Sequence, residues 1–148
     1  MTNVTIQGRA TVAAVVGVLV ALYAVTFLLG TVLHLGVRIP LGFVVLAEPR
    51  IVPATIVEGL CGIALAVSAY AVFTRRTWAW AVTTAHVFTP SGVLLGMAAL
   101  AIGAGPRTES NDIYHRVMLV VLVAGLAFLA TPIARSALGR GDRRLRRR

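Results

Sequence analysis

Lysine is absent from this 148-residue chain and cysteine occurs once, at Cys61. A single thiol excludes an internal disulfide, a Cys-x-x-Cys redox pair and a cysteine zinc cluster. Within its apolar run it reads as a small buried side chain. Acid is scarce as well: five Asp and Glu stand against 14 basic residues, all of them Arg, for a net charge of +9. Charged residues make up only 13% of the chain while hydrophobic residues make up 58%, a balance that a soluble domain of this size cannot hide inside one core. The chain therefore reads as one integral membrane domain. A cleavable signal is not expected, because the first apolar run is too long and no small-residue cleavage site precedes a soluble domain.

What the chain does have is long apolar runs. Ala10 to Leu33 is uncharged and long enough to cross about 30 Å of hydrocarbon at about 1.5 Å per residue. Its interruptions are threonines and a tyrosine, which bond locally or between helices at small cost. Thr26, Gly30 and His34 follow i, i+4, i+8 spacing and share one face. The stretch Gly36 to Arg50 contains Gly36, Pro40, Gly42 and Pro49 as breakers; its apolar middle, Ile39 to Ala47, is too short to span and is expected to lie at the interface.

A second span is expected over 51–73, with Pro53 in its first turn, where the missing N–H is unpaired anyway. Gly59, Gly62, Ala66 and Ala69 form a small-residue stripe that admits another helix. Arg75, Arg76, Trp78 and Trp80 then mark a membrane interface. A third span is expected over 78–102, with His86 and Pro90 near its middle. Pro90 frees the carbonyl of His86, which Thr83, Thr84, Thr89 and Ser91 are placed to satisfy. The fourth span is expected over 113–134. Ser110 or Asn111 is its cap and Asp112 lies in the first turn, on one face with His115 and Arg116.

The fold class expected is all-α: a four-helix membrane bundle running up-down-up-down over residues 1–134, followed by a basic tail over 135–148. Arginines decide its orientation. The tail holds seven of them from Arg135 to Arg148, the second connection holds Arg75 and Arg76, and the leader holds Arg9. Four spans with both termini cytoplasmic, in the plasma membrane, satisfy the positive-inside rule. The tail is also expected to attract anionic lipid headgroups. Nucleic acid is not an expected partner, since no aromatic or fold motif accompanies the charge.

In that topology His34, Glu58, Asp112 and His115 converge on the outer half of the bundle, with His86 nearer the midplane. Glu58 is the sharpest feature, because a carboxylate inside a span is costly unless protonated, paired or wetted. It has two readings: a functional group with His34 or His115 as partner, or a structural one, either paired with His34, His115 or Arg116 or protonated and bonded to a backbone carbonyl. Asp112 and Arg116 also read as a cap with an i, i+4 pair, and His86 also reads as a core histidine bonding a freed carbonyl. Binding roles extend to Asp112, Arg116, His86, Thr89 and Asn111.

The Glu58-Gly59 step, the Ala- and Gly-rich run after it and the Thr74-Arg75-Arg76 turn resemble the DoxX-like group of small four-helix bacterial membrane proteins. The resemblance covers about a third of the chain and implies a four-span bundle, associated with a redox partner complex; it says nothing about catalytic residues.

Several functions fit these residues. One is a non-catalytic accessory subunit or small-molecule binder, with the Gly and Ala stripe packing against itself or a membrane partner. Another is an intramembrane enzyme acting on a lipid, quinone or terpenoid-like molecule, with Glu58 as acid or base. A third is a haem or metal site drawing on His34, Glu58, Asp112 and His115, for which no ligand spacing speaks and no cofactor is assigned. Transport is a fourth and requires oligomerisation to enclose a path.

Overall fold

The computed structural model describes residues 2–103, 105 and 109–138, leaving aside the side chains of 2–6, 80, 81, 83, 84, 87 and 110. The arginines of the tail from Arg140 onward, Arg107, and the side chains of Trp80, Thr83, Thr84 and Ser110 lie outside the described residues. The described chain is mostly helical, in the order α1 Thr2–His34, β1 Ile39–Leu41, β2 Val44–Leu46, α2 Val52–Phe73, α3 Trp80–Ala101, α4 Glu109–Leu129 and α5 Pro132–Leu138.

Three helical segments, Gln7–His34, Val52–Phe73 and Asn111–Leu129, are long and apolar enough to cross a membrane. The fourth long helix, α3, has 22 residues, and its described apolar stretch is the shorter Phe88–Ala101.

Glycines set how the helices meet. A Cβ at Gly17 would stand 2.8 Å from the Phe73 ring, one at Gly62 would stand 2.8 Å from the Leu28 side chain, and one at Gly59 would touch Thr31. As residue numbers rise along α1 they fall along α2, so the two helices are antiparallel and in near backbone contact, as small residues allow. The stripe on α2 is thus taken up within the chain at Gly59 and Gly62, while Ala66 is exposed. Likewise Gly92 of α3 packs on Val57 and Cys61 of α2, and Gly96 and Gly125 pair α3 with α4 through His115 and His86.

The ends of the helices follow local chemistry. After α1, the Gly36 N–H reaches the Leu33 carbonyl at 2.8 Å and the Val37 N–H reaches that of Val32 at 3.4 Å. This double closure needs a left-handed residue, and Gly36 supplies it at φ 93°. The segment expected to lie at the interface forms a two-stranded antiparallel hairpin, with Leu41 paired to Val44. Gly42, at φ 70°, opens its two-residue turn. Phe43, at the tip, is fully exposed.

The expected fourth span, 113–134, is divided into α4 and α5. Thr131 caps α5 by accepting the Ala134 N–H at 3.3 Å, with Pro132 at the first helical position. Helix α5 then folds against α1, burying Ala134.

Candidate functional site

At the end of the molecule where α1 and α3 stop and α2 and α4 begin, the helices leave a partly open cavity of about 250 Å³. Four of the expected site residues line it: His34, Glu58, Asn111 and His115. Each is placed by a different local device. His34 is the last residue of α1. The hairpin returns the chain so that the Ile51 N–H donates to the His34 carbonyl at 3.2 Å, while His34 Nδ1 meets the Pro49 carbonyl at 3.0 Å. Glu58 lies two turns into α2, whose start is fixed by Val52 and Pro53. His115 lies in the first half of α4 and its Nδ1 donates to the Asn111 carbonyl at 2.8 Å.

The polar groups are buried. Glu58 is 7% exposed and His34 3%. His34 Nε2 stands 3.7 Å from Glu58 Oε1, and Glu58 Oε2 is buried without a hydrogen-bond partner. Oε2 lies against the backbone of Gly30, so the face formed by Thr26, Gly30 and His34 meets Glu58 at Gly30 and His34. Thr26 itself bonds the Leu22 carbonyl. The remaining walls are apolar, with Val57 from α2, Val93 and Leu100 from α3 and Phe27 from α1.

Four expected site residues lie elsewhere. Asp112 and Arg116 do not line the cavity: they pair with each other at 3.9 Å, the arginine well exposed. The reason is helical phase. Asp112 and Arg116 are one turn apart, and the face they share points away from the side of α4 that carries Asn111 and His115. The expected convergence of four ionisable groups therefore reduces to His34, Glu58 and His115. His86 is buried apart from them, its Nδ1 donating to the Val82 carbonyl at 3.1 Å and its ring 5.7 Å from that of Tyr23. Thr89 is fully buried, but its hydroxyl donates to the Ala85 carbonyl at 2.8 Å, not to the carbonyl of His86. A hydroxyl at that position folds back one turn onto its own i−4 carbonyl, the usual local bond of threonine in a helix.

Among the described residues, no three of His, Cys, Asp and Glu come together as a metal-binding group. The set His34, Glu58, Asp112 and His115 is thus not assembled as a metal-binding group, and Asp112 pairs with Arg116.

Sequence reasoning missed Gly92 and Gly96, one turn apart on α3, which bring that helix against Cys61 and His115. The G-x-x-x-G spacing was the available signal. It also missed Phe27 and Tyr114, whose rings line the cavity and which no pattern distinguishes from ordinary membrane aromatics.

No protein-family model, curated protein or solved structure matches this chain.

Proposed function

We propose that this protein is a four-span plasma-membrane protein whose outward-facing cavity around Glu58 binds a small amphipathic molecule. The observation that carries the reading is Glu58 Oε2, a carboxylate oxygen buried beside a cavity and left without a partner. Such an atom costs about 1–3 kcal/mol or more if nothing satisfies it, so a site that keeps it is built for an incoming group.

Other features support the setting. Large apolar side chains such as Leu22, Val25 and Ile63 are more than half exposed along the helices, as lipid-facing positions are. The arginine distribution favours cytoplasmic termini, with the hairpin and the cavity on the outer side. Anionic headgroups at the basic tail belong to the same proposal, as does kinship with the DoxX-like group on the strength of Glu58, Gly59 and the Thr74-Arg75-Arg76 turn.

Native mass spectrometry of protein released from its own membranes tests the reading. A small added mass on the wild type, lost in Ala99→Phe, which fills the cavity wall, is the expected result. The absence of any such mass in the wild type would contradict it.

A second reading is favoured by one observation, the 3.7 Å approach of His34 to Glu58. That is the arrangement of an acid–base pair, and it suits an intramembrane enzyme acting on a lipid, quinone or terpenoid-like molecule. Conversion of a component of a native lipid extract by the wild type and not by Glu58→Gln would establish it.

A further inference from the structure

The geometry points to a ligand class: the Glu58 cavity takes an amphipathic organic cation, a protonated amine on an apolar body, in place of a proton held between Glu58 and His34. This rests on the binding reading above and narrows it.

Hydrogen-bond accounting leads there. The carbonyl of Pro49 can only accept, so His34 Nδ1, 3.0 Å away, carries a hydrogen. In the neutral ring Nε2 is then a bare lone pair, and it faces Glu58 Oε1 at 3.7 Å. Two lone pairs facing each other in a buried site require a donor hydrogen between them, either a held proton or the N–H of an incoming group. His115 repeats the pattern: its Nδ1 donates to the Asn111 carbonyl, which leaves Nε2 as a second lone pair on the same cavity. Glu58 Oε2, lying against Gly30, is a further buried acceptor with no donor.

No fixed positive charge answers these acceptors. Among the described residues no arginine lines the cavity, and the chain has no lysine. The titratable neighbours of Glu58 are His34 from α1, Cys61 from α2 itself, Tyr114 and His115 from α4, and Glu48 from the connection. Helix α3 contributes glycines and aliphatic side chains to the lining. Glu48 adds negative charge, and none of the others brings a permanent cation. Phe27 and Tyr114 add aromatic rings to the lining, a side-chain class that attracts ammonium groups, and Val57, Val93 and Leu100 suit an apolar body.

The exchange balances: one ammonium ion enters, its N–H groups donating to the carboxylate, and one proton leaves the Glu58–His34 pair. The charge of the site is unchanged, which avoids burying an uncompensated ion.

Calorimetry on the purified protein with three probes of one shape tests this: 2-phenylethylammonium, neutral 2-phenylethanol and anionic 3-phenylpropionate, each in two buffers of different ionisation enthalpy. The ammonium ion is expected to bind at least about tenfold more tightly than the alcohol, with the anion weakest and about one proton released per cation bound. Glu58→Gln is expected to weaken the ammonium ion by about ten- to a hundredfold and leave the alcohol unchanged. The alcohol or the anion binding as tightly as the ammonium ion, cation binding without proton release, or an unchanged ammonium affinity in Glu58→Gln would overturn the cation inference while leaving the binding reading intact. Binding of none of the three to the wild type would overturn both. If Glu58→Gln does not fold, the ranking of the three probes on the wild type decides.

Discussion

The carboxyl group of Glu58 lies flat on the backbone of Gly30: a Cβ at Gly30 would fall on Oε2 and within 3.0 Å of Cδ. Only a residue without a side chain lets α1 approach the carboxylate there, and the neighbouring contacts at Gly59 and Gly62 hold the two helices in that register. Glu58 is therefore placed by glycines on both helices as well as by its own position on α2.

Gly30→Ala tests that dependence. The added methyl displaces Glu58 or separates α1 from α2, an overpacking cost of about 1–3 kcal/mol. Gly8→Ala is the control, since nothing lies within 4 Å of its Cβ position. Thermal unfolding in a mild detergent should show Gly30→Ala markedly destabilised and Gly8→Ala no less stable than wild type.

The two members of the buried pair are not equivalent. Glu58→Gln keeps the shape, and its amide can donate to the bare Nε2 of His34, so the thermal midpoint should stay at or above that of the wild type. His34→Ala removes the bond to the Pro49 carbonyl and leaves Glu58 unpaired, at a cost of about 3 kcal/mol. Equal destabilisation by the two would show that the pair contributes through packing alone.

Arg75 is the non-glycine residue with a positive φ, 51°, among the described residues. Its N–H reaches the Val72 carbonyl at 3.1 Å and the Arg76 N–H reaches that of Ala71 at 2.9 Å, the same double closure that Gly36 makes after α1. A left-handed L-residue costs about 1–2 kcal/mol. Arg75→Gly should therefore raise the unfolding free energy by about 1 kcal/mol, offset in part by the freedom glycine gives the unfolded chain. An unchanged or lowered stability would show that the arginine side chain outweighs the strain.

The parts of the fold carried by long-range pattern were legible in sequence. The apolar runs of α1 and α2, Pro53 in the first turn of α2 and the meeting of His34, Glu58 and His115 at one end all follow from residue type and helical periodicity. The hairpin was not legible, because Pro40 and Gly42 read as loop punctuation and short strands carry little periodicity of their own. Nor was the break before α5: Thr131 and Pro132 mark an end, but they are also a cap and a first residue, and only the contact with α1 shows that a new helix begins. Asp112 was misplaced because membership of one helix face says nothing about which way that face turns until the neighbouring helices are in place.

The central claim, that Glu58 lies beside a cavity in the membrane that small apolar molecules can enter, is tested most directly by dicyclohexylcarbodiimide. This reagent partitions into bilayers and condenses with protonated carboxyl groups. In intact membranes, peptide mass mapping should find the adduct on Glu58 of the wild type and little or none in Ala99→Phe. An unmodified Glu58 in the wild type, or labelling undiminished when the cavity is filled, would contradict the account.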